Sequence, residues 1–197
     1  AGVVISASHN PVEYNGIKFF SGDGYKLPDE VEDEIERLMD EGHRRYPEGG
    51  DIGQVEENPD AEELYAQHAM STVKCSLEGL KVVVDCGCGA AYRITPKVLK
   101  ALGAEVIAVN DDADGMRINV CCGSTNPDII CKMVVELGAD LGIAHDGDAD
   151  RVIACDEKGK IVDGDYIMAI CGLDLMSRRQ LPKNTIVATA YSNLGLI

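Results

Sequence analysis

The chain has 197 residues, of which 45% are hydrophobic and 26% charged, and its formal net charge at pH 7 is −16. This composition is typical of a folded globular protein and excludes extended disorder. The negative charge disfavours nucleic acid and anionic membranes as partners, although a metal ion and a few local cations can still hold a small anionic substrate. No apolar run reaches the ~18 residues of a membrane span and no signal peptide precedes the first predicted strand, so we expect neither a membrane protein nor a secreted one.

The eight cysteines indicate a reducing compartment. Most of them fall within apolar segments, and no two have the C-x-x-C spacing of zinc ribbons and thioredoxin-like sites. A disulfide framework is the alternative, but it is typical of small secreted chains. We therefore expect reduced, packed thiols and a cytoplasmic location.

The beginning of the chain predicts a strand, a polar loop and a helix. An apolar strand ends at Ile5, and a polar loop with Ser8 follows it. Between Pro28 and Gly42 apolar residues recur at helical spacing, with acidic residues in the first turn, where they favour a helix. From Gly42 to Pro59 the chain is rich in glycine, proline and acidic residues, which predicts a loop or linker.

The remainder of the chain alternates predicted strands with predicted helices. The helices cover residues 60–73, 127–137 and 165–177, and one more contains Pro96 early in its length. The strands cover residues 80–85, 105–110, 141–145 and 185–190, and 151–156 forms a hairpin with 160–162. This alternation predicts an α/β fold, in which mixed β-sheets are flanked by helices.

An acidic run, residues 146–151 with the sequence DGDADR, directly follows a predicted strand, and we name it the acidic loop. Alternate residues of an extended segment face the same side, so Asp146, Asp148 and Asp150 can converge. Three carboxylates brought together repel one another unless a hard cation such as Mg²⁺ binds between them. Arg151 adds a planar cation suited to phosphate oxygens. The pattern favours a Mg²⁺ site over a solvated acidic turn.

The polar loop near the start, residues 7–11 with the sequence ASHNP, is named the serine loop. Its residue types are common in turns, so by itself it predicts no more than a polar turn. In combination with the acidic loop, however, the serine loop predicts a function. A hydroxyl that can carry phosphate and a carboxylate cage for a divalent cation are the two components of a phosphoryl-transfer site.

Two other functions fit the acidic loop in part. In a calcium-binding EF-hand, the three aspartates and Glu157 would occupy the ligand positions, but the position that requires glycine holds Arg151, and the flanking segments predict strands. A haloacid-dehalogenase-like phosphotransferase would use Asp146 as the nucleophile. Such enzymes usually have threonine or valine where Asp150 stands, and this alternative leaves the serine loop without a role.

Several other polar features predict structure rather than a site. Residues 85–91 lack the third glycine of a dinucleotide-binding loop and predict a tight strand-to-helix turn. Residues 111–115 predict a solvated acidic turn. Three histidines have no partner at ligand spacing, which predicts structural roles for His43, His68 and His145.

Together, the serine loop and the acidic loop resemble the α-D-phosphohexomutase superfamily, whose hallmarks are a (T/S)ASHNP loop and a DGDxDR loop. The resemblance implies that Ser8 is carried as a phosphoserine, and that its phosphate ligates the metal together with the three aspartates. It also implies phosphate contacts and proton handling by His9, Lys18 and Arg151.

Finer features resemble the phosphoglucosamine mutases of this superfamily. Those enzymes commonly have NGIKFFS, CGST-x-P and SNLGL segments, which match residues 15–21, 122–127 and 192–196. The resemblance implies interconversion of glucosamine 6-phosphate and glucosamine 1-phosphate through a bisphosphorylated sugar, feeding UDP-N-acetylglucosamine and cell-wall synthesis. Phosphomannomutases and phosphoglucomutases of the same superfamily are the alternative, because they share the phosphoryl-transfer residues.

The resemblance also implies how the chain is divided. Residues 1–58 would be the C-terminal part of domain I, 59–160 would be domain II, and 161–197 would begin domain III. The superfamily's N-terminal arginine loop, third-domain sugar loop and fourth-domain phosphate loop have no counterpart here. We therefore expect an internal fragment of an enzyme that binds a phosphosugar and neither nucleic acid nor membrane.

Overall fold

The computed structural model describes residues 1–42, 46–193 and 195–196. His43, and Leu194 of the third matching segment, lie outside these ranges. The described residues form a two-stranded sheet and a five-stranded sheet, joined and flanked by helices. None of the helices in these ranges is long and apolar enough to cross a membrane.

The two-stranded sheet holds the serine loop. Strands β1 (Gly2–Ile5) and β2 (Ile17–Phe20) pair antiparallel, with Ile5 opposite Ile17. The loop between them is closed by a hydrogen bond from Ser6 N to Gly16 O of 2.9 Å. A Cβ atom on Gly16 would lie 2.7 Å from Ser6 O, so this closure requires glycine. Strand β2 brings Lys18 back beside the serine loop.

A helix follows the small sheet where the sequence predicts it. Helix α1 (Asp29–Glu41) has three acidic residues in its first turn and ends at Gly42, which has a left-handed φ of 66°. Its apolar side chains stay at least partly exposed, since none of its residues is buried. Residues 46–59 form a loop that contains a short 3₁₀ turn, Gly49–Asp51, in agreement with the predicted linker.

The larger sheet is mixed, as predicted. Its strands are β3 (Lys81–Asp85), β4 (Glu105–Val109), β5 (Leu141–His145), β6 (Val152–Asp156) and β7 (Ile161–Val162). Their order is β4-β3-β5-β6-β7. Strand β3 is parallel to β4 and β5, and the β5–β6 and β6–β7 pairs are antiparallel. The carboxyl ends of β3 and β5 therefore meet at one edge of the sheet.

The remaining helices lie close to their predicted positions. They are α2 (Ala61–Ser71), α3 (Ala91–Ala101), α4 (Asp128–Leu137) and α5 (Gly164–Ser177). Alternating residues of β3 point to opposite faces of the sheet. Val83 packs with Ile130 and Val134 of α4, whereas Val82 and Val84 pack on the other face with the start of α3. The sheet is thus covered on both faces, which makes a three-layer α/β/α arrangement.

The predicted strand over residues 185–190 is wrong. This segment has no strand hydrogen bonding in the structure, and all of its residues are exposed, Val187 to 90%. β-Branched residues favour an extended conformation, but a strand is stabilised only when its backbone groups pair with a neighbour. Among the described residues no strand pairs with this segment.

The cysteines agree with the prediction in part. All eight are free thiols. Four are buried and Cys131 is half-buried, but Cys75, Cys121 and Cys171 are exposed, so the expectation of packed thiols is wrong for these three. Burial raises the pKa of the Cys86 thiol to about 12, which makes that thiol a poor nucleophile.

The packing of α4 on the sheet gives a stability prediction. Ile130 is fully buried, whereas Val135 on the same helix is 55% exposed. We expect Ile130→Ala to lower the free energy of unfolding by about 2–5 kcal/mol, because it leaves a cavity between α4 and the sheet. Val135→Ala should change it by no more than about 0.5 kcal/mol. Urea denaturation followed by circular dichroism measures both, and equal losses would contradict the proposed core.

Candidate metal and phosphate site

The structure brings the serine loop onto the acidic loop. The acidic loop begins where β5 ends, and the hydroxyl of Ser8 donates a hydrogen bond to Asp146 Oδ2 at 2.8 Å. These residues are 138 positions apart in the sequence. The two runs that were predicted to act together therefore meet at the carboxyl edge of the larger sheet.

The three aspartates of the acidic loop form one cluster. Asp146, Asp148 and Asp150 each offer a carboxylate oxygen, and these oxygens lie within 4.8 Å of one another. Asp146 is buried, Asp148 is half-buried and Asp150 is exposed. Asp148 Oδ1 is buried and has no hydrogen-bond partner among the described residues. A buried acceptor without a donor is costly, and a bound cation removes that cost. An all-oxygen ligand set fits a hard divalent cation.

Backbone contacts hold the acidic loop in a curled conformation. Asp146 accepts hydrogen bonds through Oδ1 from Arg151 N at 3.1 Å and through its carbonyl oxygen from Ala149 N at 3.0 Å. Ala149 has a left-handed φ of 59°. The loop is therefore fixed by its own first residue, and the later aspartates curve back toward it.

Gly147 has a role beyond letting the chain curl. A Cβ atom at this position would lie 2.4 Å from the carbonyl oxygen of Ser8, so the serine loop can approach only because the residue is glycine. Gly89 shows the same constraint on the other side, where its Cβ would lie 2.2 Å from Gly147 O. The turn over residues 85–91, predicted as a tight strand-to-helix connection, thus packs directly beneath the acidic loop.

Lys18 lies against the aspartates. Its Nζ is 2.5 Å from Asp148 Oδ2 and 3.9 Å from Asp150 Oδ2. The hydrogen bond to Asp148 raises the pKa of Lys18, although burial opposes it. Burial raises the pKa of the Asp148 carboxyl, but the hydrogen bond and the positive charge of Lys18 oppose it, and the net shift is downward. Both groups therefore stay charged at neutral pH.

His9 and Arg151 are paired. Arg151 Nη1 lies 2.6 Å from His9 Nδ1. A guanidinium group only donates hydrogen bonds, so Nδ1 accepts and the neutral ring carries its proton on Nε2. The sequence could not assign this tautomer. Both side chains are exposed at the edge of the cluster, where they can reach an anionic group.

The sequence analysis did not identify two residues of the site. Asn119, in the segment after β4, donates from Nδ2 to the carbonyl oxygen of Ser8 at 2.7 Å. Asp85 is fully buried at the end of β3 and accepts hydrogen bonds from Gly87 N at 2.9 Å and Gly123 N at 2.8 Å. A carboxylate that ends an apolar strand is a weak signal for Asp85, and nothing comparable marks Asn119.

His145 and the acidic turn at residues 111–115 also have side-chain partners nearby. His145 Nε2 lies 3.2 Å from Thr95 Oγ1, and burial lowers the pKa of the ring. Within the predicted solvated turn, Asp112 pairs with Arg117 at 2.6 Å. These contacts are consistent with the structural roles that the sequence predicts for them.

Comparison with known proteins now places this arrangement. Residues 1–45 match the family model described as phosphoglucomutase/phosphomannomutase, alpha/beta/alpha domain I, and residues 51–159 match alpha/beta/alpha domain II of the same family. The chain belongs to this family. The α/β/α layers agree with the description of these two domains.

Individual relatives agree with this assignment. The chain is 59% identical to phosphoglucosamine mutase of Symbiobacterium thermophilum, over 99% of this chain and 44% of the relative. It is 56% identical to phosphoglucosamine mutase of Alkaliphilus oremlandii over the same shares. A crystal structure of a phosphoglucomutase/phosphomannomutase family protein from Burkholderia thailandensis superposes with a TM-score of 0.68 at 27% identity, covering 90% of this chain and 38% of that one. The chain spans less than half the length of the curated relatives that it matches.

The aspartate cluster predicts divalent-cation binding. We expect Asp148→Asn to weaken Mn²⁺ binding by roughly tenfold or more, since it removes a full negative charge from the cluster. Titration followed by electron paramagnetic resonance measures the free ion directly and does not depend on catalysis.

A matched variant tests whether the effect is local. Asp114→Asn removes the same charge from an exposed turn outside the cluster, and we expect it to leave Mn²⁺ affinity within about twofold of wild type. Equal affinity in wild type and Asp148→Asn would exclude Asp148 as a ligand.

Proposed function

We propose that this chain supplies the phosphoryl-transfer residues of a phosphoglucosamine mutase, which interconverts glucosamine 6-phosphate and glucosamine 1-phosphate. The observation that carries the proposal is the hydrogen bond of 2.8 Å between the Ser8 hydroxyl and Asp146, at the edge of a three-aspartate cluster. The identity to curated phosphoglucosamine mutases supports the choice of sugar.

Ser8 is the proposed carrier of the phosphate. Its hydroxyl points at Asp146, and its backbone has a left-handed φ of 55°, which few residues other than glycine, asparagine and aspartate adopt readily. The hydrogen bonds from Ser8 N to Ser6 Oγ at 2.9 Å and from the Ser8 hydroxyl to Asp146 stabilise this conformation. In the proposed reaction, phosphorylated Ser8 donates its phosphoryl group to the monophosphate sugar, and the resulting bisphosphate returns its other phosphoryl group to the Ser8 oxygen.

The three aspartates are the proposed ligands of Mg²⁺, with the phosphate on Ser8 as a further ligand. When bound, the ion neutralises charge that builds up on the transferring phosphoryl group. Lys18 lies close enough to the cluster to add positive charge on the same side. Asp146 is the residue that orients the free hydroxyl between the two transfers.

His9 and Arg151 are proposed to contact phosphate oxygens of the sugar. Arg151 has several N–H donors, of which one is used by His9 Nδ1. The fixed tautomer presents His9 Nε2–H as a donor. Together they present the Arg151 cation and free N–H donors, which suit a dianionic phosphate.

A phosphomannomutase or phosphoglucomutase activity is the second candidate, because the matching family models carry that description. The calcium-binding alternative lacks support, since strands β5 and β6 flank the acidic loop where an EF-hand has helices. A haloacid-dehalogenase-like reaction would form an acyl phosphate on Asp146, which the experiment below distinguishes from a phosphoserine.

The wider organisation is part of the same proposal. We propose that residues 1–58, 59–160 and 161–197 belong to domains I, II and III of a longer enzyme, with a phosphosugar as the substrate. A cytoplasmic location is proposed on the basis of the eight free thiols.

Phosphorylation of Ser8 is the central prediction. Incubation of the full-length enzyme with a hexose 1,6-bisphosphate should yield an acid-stable, base-labile phosphoester, which peptide mapping locates at Ser8. We expect Ser8→Ala to lower kcat by roughly a thousandfold or more, because the covalent intermediate cannot form. Ser71→Ala, an exposed serine at the end of α2, is the matched control and should retain wild-type turnover. A hydroxylamine-labile phosphate on Asp146 would contradict the assignment.

The 197-residue chain should not be an efficient mutase when produced alone. It spans 44% of its relatives, and we propose that the remaining part orients the sugar. Orientation can supply roughly 7–11 kcal/mol of a reaction barrier. A coupled assay with glucosamine 6-phosphate and Mg²⁺ compares the chain with the full-length enzyme, and turnover within about tenfold would show that the site is self-sufficient.

A further inference from the structure

We propose that Asn119 is a positioning residue, which holds the backbone of the serine loop so that Ser8 stays aligned with the acidic loop. Asn119 belongs to the segment between β4 and α4, far in sequence from both loops. The proposal rests on the proposed function of Ser8 as the phosphate carrier, and it adds a residue that no motif of the chain contains.

The amide group of Asn119 contacts the backbone of the serine loop at two points. Nδ2 donates to the carbonyl oxygen of Ser8 at 2.7 Å and lies 3.4 Å from the carbonyl oxygen of Asn10. Only an N–H group can satisfy carbonyl oxygens, so the orientation of the amide is fixed: the opposite orientation would place oxygen against oxygen. The Asn119 side chain therefore contacts the loop backbone on both sides of His9.

The backbone of Asn119 is itself fixed. Its N–H donates to Gly87 O at 3.0 Å, in the turn after β3, and its φ of 59° is left-handed, a conformation that asparagine tolerates. The absence of a side chain at Gly147 makes room for this contact. A Cβ atom there would lie 2.4 Å from Ser8 O and 2.9 Å from Asn119 Nδ2. The carbonyl of Ser8 is thus held between Asn119 and the acidic loop.

The hydrogen bond from Asn119 to Ser8 can persist after phosphorylation, unlike the bond from the Ser8 hydroxyl to Asp146. The hydroxyl donates its hydrogen to Asp146, and this bond is lost once the oxygen carries phosphate. The bond from Asn119 goes to the main-chain carbonyl of Ser8, which is unchanged by phosphorylation. Asn119 can therefore hold the same backbone position in both forms of the enzyme, which a reaction with two opposite phosphoryl transfers requires.

The distance from the reacting atom sets the expected kinetic effect. Asn119 donates to the backbone of Ser8 and not to Oγ, so its loss should misplace the phosphoserine without removing a reacting group. A displacement on the order of 1 Å can slow a reaction by about a hundredfold. We expect the rate constant for transfer to fall by roughly ten- to a hundredfold, whereas the KM for the sugar stays within about threefold.

The experiment uses single turnovers of the full-length enzyme. The protein is first phosphorylated with a hexose 1,6-bisphosphate, and transfer from phosphorylated Ser8 to glucosamine 1-phosphate is then followed by rapid quench. Asn119→Gly removes the amide and accepts the left-handed backbone without strain. Asn119→Asp keeps the shape of the side chain but replaces the donor with an acceptor. Both variants should reach wild-type phosphoserine stoichiometry and transfer more slowly.

The control substitution is made at Asn184. Asn184 also has a left-handed φ, of 49°, and is exposed, so Asn184→Gly should transfer phosphate within about twofold of wild type. Wild-type rate constants in both Asn119 variants would overturn the proposal. Reduced phosphoserine stoichiometry with an unchanged rate constant would also overturn it, since it indicates a loss of folded protein. A wild-type enzyme that forms no phosphoserine would instead refute the proposed function, and this inference with it.

Discussion

The convergence of three carboxylates at one edge of a sheet is the constraint on which the site depends. Asp146 is buried and the carboxylate oxygens of the three aspartates lie within 4.8 Å of one another, so their mutual repulsion must be balanced by nearby positive charge or hydrogen-bond donors. In the structure the balance comes from Lys18, from the Ser8 hydroxyl and from the backbone N–H of Arg151. Lys18 lies on the small N-terminal sheet and Ser8 on the loop that this sheet holds, so the aspartates bind that part of the chain, including the serine proposed to carry phosphate.

The sheet topology explains why this edge is available. Strand β3 lies between the parallel neighbours β4 and β5, so the connections that leave the carboxyl ends of β3 and β5 emerge side by side. In open α/β sheets this is where ligands bind. The close approaches of Gly89 to Gly147, and of Gly147 to Ser8, stack three loops in contact. Substitution of either glycine would separate loops whose spacing the proposed phosphoryl transfer requires.

Much of this could be predicted from the sequence, for reasons that differ between elements. The helices and the central strands have clear hydrophobic periodicity, and the alternate aspartates of the acidic loop favour a metal site over a solvated turn. The segment 185–190 has the composition of a strand but no partner, and partners are a tertiary property. Asn119 could not be predicted from the sequence. Its side-chain amide donates to a carbonyl oxygen 111 residues away, and no local sequence pattern indicates such a contact. The pairing of Arg151 with His9 was hidden for the same reason.

The contacts of Lys18 also bear on how the site responds to its metal. A divalent cation and the Lys18 ammonium group are attracted to the same carboxylate, Asp148, whose pKa is held down by the lysine. A bound cation would take over part of that neutralising role and would leave the Lys18 ammonium group free to contact a phosphate oxygen in the proposed reaction. Asp148 Oδ1, which is buried and has no hydrogen-bond partner within the described part of the chain, is where a cation could bind without displacing Lys18. Because Lys18 lies on β2 and Ser8 follows β1, the positive charge of this lysine would stay beside the serine that is proposed to carry the phosphoryl group.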